Sequence, residues 1–127
     1  MRHKRSGFTL IELMVVLTIV ALLLTVALPR YLSSVDRARE ATLKQSLAVV
    51  RDAIDKFHGD QGRYPNDLAE LERLRYLRAV PVDPMTDSAA TWTITPPPPG
   101  RGVGGNVYDL HSGSTAKASD GSDVAQW

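Results

Sequence analysis

Glu12 is the residue that most needs a chemical explanation. From Phe8 to Leu28 the chain is apolar except for Thr9, Glu12, Thr18 and Thr25, and an unpaired carboxylate in such a segment costs about 2.5–3.5 kcal/mol on insertion scales. Two kinds of relief exist. The carboxylate can reach headgroup water, or it can meet a cation within the membrane, which the apolar run does not supply. Scission between Gly7 and Phe8 would create one, because a free Phe8 amine, with an ordinary pKa of ~7.7–8.0, is mostly charged at neutral pH. Within one chain that amine lies at the same helix end as Glu12. In parallel copies staggered along the axis, Glu12 of one copy would meet the amine of the other and set the register of an assembly.

A second set of candidates lies near the end of the chain. Ser112, Ser119, Asp120, Ser122 and Asp123 gather oxygen donors in a stretch with Gly113 and Gly121. Hard cations such as Ca²⁺ take roughly six to eight oxygens, many of them carbonyls; a solvated polar loop accounts for the same residues, and the spacing is not that of an EF-hand. His3, His58 and His111 show no metal-ligand spacing. Asp109, His111 and Ser112 are too close on one strand to converge as orienter, base and nucleophile, because successive residues face opposite sides. No enzyme activity is expected. Arg101 to Gly105 is glycine-rich but lacks the Lys-Ser/Thr ending and the helix of a phosphate loop, so it reads as a turn.

The elements that must position these residues follow from hydropathy. Phe8–Leu28 as a helix would be ~32 Å long at ~1.5 Å per residue, enough to span a bilayer. Arg2, His3, Lys4 and Arg5 precede it, which holds that end in the cytoplasm and sends the rest outward. Pro29 predicts a kink or local melt between Ala27 and Arg30. Beyond it, Val35, Leu43, Leu47, Val50, Ile54 and Phe57 recur at helical spacing, and the charges on the other faces, from Asp36 to Lys56, read as a solvated surface with Glu40 and Lys44 as an i,i+4 pair. Gly59 is expected to cap this helix after His58. Asn66 or Asp67 caps a short helix carrying Leu68, Leu71, Leu74 and Leu77, its entry pinned by Tyr64 and Pro65. Trp92–Thr95 reads as a strand, Pro96–Pro99 as an extended connection, and Asn106–Trp127 as a strand, a polar loop and a short closing strand, with Val107, Tyr108, Leu110, Val124 and Trp127 packing on the long helix.

The predicted fold is α+β: a long N-terminal spine helix on a small C-terminal antiparallel sheet. It divides into residues 1–7, a helix over 8–58 (8–28 transmembrane, 29–58 amphipathic) and a globular region over 59–127. With 127 residues, much of them in one helix, the core must be small, and with no cysteine no disulfide can staple it. The formal charge of +1 becomes negative without Arg2, Lys4 and Arg5, leaving 12 basic against 14 acidic residues. That balance does not suggest a nucleic-acid partner.

The basic leader, Gly7, Phe8-Thr9-Leu10-Ile11-Glu12 and the apolar run resemble the class III signal of type IV pilins and type II secretion pseudopilins. The resemblance implies cleavage after Gly7 by prepilin peptidase, N-methylation of Phe8, and docking of Glu12 onto a neighbour's Phe8 amine. Pro29 matches the proline that interrupts this helix in the family. Asp60-Gln61-Gly62-Arg63-Tyr64-Pro65, the leucine-rich helix, Tyr76-Leu77 and Val80-Pro81-Val82-Asp83-Pro84 are similar to the major, G-type pseudopilin. The departure is Met85-Thr86-Asp87 where that group carries Trp-Gly and an aromatic residue, with Trp92 placed later.

The resemblance further implies a calcium-binding loop, with Asp120 and Asp123 as carboxylate ligands and Ser112 and the Leu110 carbonyl beside them. As a whole it implies a structural subunit of the type II secretion pseudopilus. Such a subunit is held single-pass in the inner membrane with its C-terminal region in the periplasm, then assembled there with other pseudopilins by an inner-membrane platform and an ATPase. The alternatives are a type IV pilin, major or minor, of an adhesion, motility or DNA-uptake filament, and an unassembled signal-anchored periplasmic domain. The lack of cysteine sets the chain apart from typical disulfide-closed pilins.

Overall fold

The computed structural model describes residues 6–100 and 102–127; the basic leader residues Arg2, His3, Lys4 and Arg5, and Arg101, lie outside them. The chain forms two compact units, one ending at Val35 and the other running from Asp36 to Trp127. Helix α1 (Leu10–Gln61) supplies residues to both.

In the first unit every residue from Ser6 to Ser34 is exposed, so the apolar half of α1 has no cover within this unit. It is long and apolar enough to cross a membrane. Its threonines are compatible with that surroundings because the Thr18 hydroxyl donates to the Met14 carbonyl and that of Thr25 to Ala21, both at 2.8 Å, which leaves neither polar group unpaired. Pro29 lies inside α1 and the helix continues through Ala27–Arg30. Of the kink or local melt expected at Pro29, the melt is corrected to an unbroken helix. Proline withdraws one N–H from the ladder, and the bonds of the adjoining turns keep the segment helical.

In the second unit α1 buries Leu43, Leu47, Val50, Ala53, Ile54 and Phe57, the expected stripe, against Leu71, Leu77, Trp92, Val107, Leu110, Ala118 and Val124. Strands β1 (Thr93–Thr95) and β2 (Asp109–His111) pair antiparallel with Ile94 opposite Leu110. The helix ends after Gln61 instead of His58. Gly62 takes the left-handed conformation, φ 68°, and its N–H donates to the His58 carbonyl at 2.9 Å, which makes Gly62 the cap and leaves Gly59 within the helix. The expected closing strand is instead a 3₁₀ helix, Val124–Gln126: the Gln126 and Trp127 N–H groups turn back to the Asp123 and Val124 carbonyls, and the turn puts Val124 into the core. Tyr108 is 39% exposed and packs edge-on against Tyr64.

Helix α2 (Leu68–Arg73) is capped by Asp67, whose carboxylate accepts from the Glu70 N–H at 2.7 Å. Leu71 is buried, Leu74 is the exposed C-cap and Leu77 returns to the core beyond the helix. Glu70 is buried and accepts from the Arg63 guanidinium and, at 3.0 Å, from the Asn66 N–H. The same guanidinium lies 4.9 Å from the Phe57 ring centre. The Gly-Arg-Tyr-Pro stretch thereby ties the end of α1 to the start of α2. The glycine-rich segment after the proline run docks on it: Gly104 accepts from the Tyr64 N–H and Pro65 from those of Asn106 and Val107, all at 2.9 Å. Gly105, at φ 103°, leaves no room for a Cβ, which would stand 2.0 Å from the Tyr64 carbonyl oxygen. Residues expected to form a simple turn thus dock backbone to backbone.

The Arg63 hydrogen bond, and after it the Asn66 N–H, hold the Glu70 carboxyl below the usual carboxylate range. A depressed folded pKa gives stability that is complete above the unfolded value of ~4.3 and lost as pH falls through the folded one. Glu70→Gln should remove that acid-limb dependence and cost about 1–3 kcal/mol near neutral pH, the half-exposed Arg63 keeping the loss below that of a fully buried pair. Urea unfolding of both proteins across the acid range measures it.

Candidate functional site

Ser6–Thr9 precede α1 in non-helical conformation, and Phe8 is 85% exposed, so the Gly7–Phe8 bond is open to a peptidase. Thr9 and Glu12 cap the helix reciprocally: the Glu12 N–H donates to Thr9 Oγ1 at 3.2 Å and the Thr9 N–H to Glu12 Oε2 at 3.4 Å. This is a capping box, and its Thr-x-x-Glu spacing is the signal in the sequence that marks it. It turns the carboxylate back toward the helix start, where Glu12 lines a shallow hollow with Ser6, Gly7 and Phe8. The positive end of the helix dipole favours a negative charge there, and the one long bond that Glu12 accepts leaves most of its lone pairs free for an external donor.

The four residues expected to bind calcium do not present a common donor set. The Leu110 carbonyl accepts from Arg51 Nη2 at 3.1 Å. The buried Ser112 hydroxyl donates to Asp83 Oδ2 at 2.6 Å. Asp120 Oδ1 accepts from the Ser122 hydroxyl at 2.6 Å and from its N–H at 2.9 Å, which lowers the Asp120 pKa. Asp123 Oδ1 lies 3.5 Å from Lys117 Nζ. Among the described residues, no three His, Cys, Asp or Glu side chains are grouped to hold a metal.

Three residues missed in the sequence do the organising. Asp83 is fully buried and accepts from Ser112, from the Gly113 N–H at 3.1 Å and from the Met85 N–H at 2.9 Å, latching its loop to the segment after β2. Arg51 donates to Asp109 Oδ1 at 2.8 Å, to Leu110 and to the Trp127 carbonyl. Glu40 accepts from the Ser119 N–H at 2.6 Å and hydroxyl at 2.8 Å, while Lys44, expected to pair with Glu40, stands 4.5 Å from the centre of the Trp127 ring. Trp92 is buried and its Nε1 donates to the Pro81 carbonyl at 2.8 Å, anchoring the loop that lacks the family's usual aromatic residue.

A capped apolar helix behind an accessible peptide bond, followed by an amphipathic half with a small sheet on it, defines a pilin-like subunit. Residues 2–28 match the family model of the prokaryotic N-terminal methylation motif. The type II secretion system core protein G of Pseudomonas aeruginosa is 32% identical over 99 residues, 65% of this chain and 70% of that protein. The protein of the same name from Klebsiella michiganensis is 24% identical over 99% of this chain and 95% of its own length, and the fimbrial protein EcpC of Eikenella corrodens is 29% identical over 96% and 81%. No solved structure matches the chain. The chain belongs to the type IV pilin-like family, in the group of type II secretion system core protein G, the major pseudopilin.

Asp83→Ala should cost about 2–4 kcal/mol, because it strands the buried Ser112 hydroxyl and the Gly113 N–H together. Urea unfolding of the full chain in detergent micelles tests this, with Asp83→Asn expected to lose less.

Proposed function

We propose that this chain is the major structural subunit of a type II secretion pseudopilus, matured by prepilin peptidase and polymerised on the periplasmic side of the inner membrane. The observation that carries the reading is the exposure of the whole apolar half of α1 with one carboxylate at its start. That surface needs lipid or other helices. In the membrane, Glu12 lies beside the scissile Gly7–Phe8 bond. Cleavage leaves an amine on Phe8, N-methylation keeps it basic, and a subunit entering the filament base brings its amine to the Glu12 of a neighbour. An ion pair in so apolar a setting discriminates strongly between registers, because a misplaced subunit leaves both charges unpaired. Helices then exchange lipid contact for one another, with an ATPase and platform supplying work, and growth of the filament helps to move folded proteins outward.

A type IV pilin of another filament is the second reading, favoured by the likeness to EcpC along nearly the whole chain. Loss of exoprotein secretion on deletion, with surface adhesion and motility intact, separates the two.

Gly7→Val should leave the leader in place, seen by mass spectrometry of the membrane fraction. Glu12→Gln keeps the capping geometry but not the charge; it should be cleaved normally, yield no filaments after shearing, and abolish secretion. Normal filaments from Glu12→Gln would remove the ion pair from the mechanism.

A further inference from the structure

The calcium-loop ligands that the family resemblance implies are engaged by the protein itself. Leu110 gives its carbonyl to Arg51, Ser112 gives its hydroxyl to Asp83, Asp120 is bonded by Ser122, and Asp123 faces Lys117. We propose that in this subunit the C-terminal loop is closed by the chain's own cations, with Arg51 in the place of a structural calcium ion.

Arg51 does what a bound cation would do. From the middle of α1 it gathers Asp109 of β2, the Leu110 carbonyl and the Trp127 carbonyl, tying the strand before the loop to the turn after it. A guanidinium suits this because its donors are fixed in one plane and it keeps its charge when partly buried. Glu40, Lys44 and Arg51 lie along one stripe of α1, separated by one and then two helical turns. Glu40 holds Ser119 inside the loop, and Lys44 sits on the Trp127 ring. Trp127 continues the chain of contacts by donating from Nε1 to the Ser122 hydroxyl at 3.0 Å, and Ser122 donates to Asp120. Lys117 crosses the loop to Asp123, and these two residues also pair through their backbones. A dication entering here would displace hydrogen bonds at Leu110 and Ser112 and compete with Ser122 for Asp120 and with Lys117 for Asp123. The four groups are tied to separate partners and do not offer the common sphere of roughly six to eight oxygens that a calcium ion takes.

Full-length protein in detergent micelles is melted in calcium chloride and in chelator, with calorimetric titration of calcium alongside. The expected result is no binding heat and melting temperatures equal to within about 1 °C, whereas a structural site filled at a hundredfold excess over its dissociation constant would raise the melting temperature by ~10 °C. Arg51→Met should melt several degrees lower in both media and expose the Ser119 amide to hydrogen exchange. If Arg51→Met does not fold, Glu40→Gln and Lys117→Met serve, each expected to speed exchange at Ser119 without calcium rescue. Calcium stabilisation of the parent, calcium rescue of any variant, or variants as stable and protected as the parent would overturn the proposal.

Discussion

A carboxylate in an apolar helix must have its charge answered, and the first unit is organised by that requirement. Thr9 and Glu12 close the helix start on each other, but a single neutral donor offsets only part of the cost of a charge held away from water. The remaining demand can be met by headgroup water or by a cation from outside the helix. The exposed apolar surface along the same segment asks for lipid or neighbouring helices, and in the proposed filament the arrival of another copy would answer both demands at once.

The second unit solves a different problem, that of a small core without covalent staples. Buried apolar side chains from α1 form one side of it, and polar contacts brace it: Asp83 to the segment after β2 and Arg51 to β2 and Trp127 across long stretches of chain, and Arg63 to the nearby Glu70. Each joins segments that short strands alone could not fix, since β1 and β2 have three residues apiece.

What could be read from the sequence was what is local or periodic. The Gly7-Phe8-Glu12 motif, the apolar stripe from Leu43 to Phe57 and the two separate strands holding Ile94 and Leu110, though not their register, depend on spacing within a few residues. The failures are of another kind. Asp83 and Ser112 are 29 residues apart, and Arg51 and Asp109 are 58 apart; a charge on a helix looks the same in sequence whether water or a distant strand faces it. Gly59 and Gly62 are both plausible caps until the backbone shows which one has positive φ. Pro29 was weighed by its lost hydrogen bond and clash, whereas the neighbouring turns decide whether the helix persists.

The backbone docking of Gly104–Val107 on Tyr64 and Pro65 has a consequence for variation among subunits. The proline run between β1 and this docked segment follows Thr95, whose carbonyl accepts from the Tyr108 N–H at 2.9 Å, so its two ends are anchored independently of its length. Lengthening an exposed loop between fixed ends costs free energy only logarithmically. This connection is therefore a place where insertions, tags or lineage-specific ornament can be grafted onto the exposed surface of the subunit, leaving the packing that holds it together unchanged.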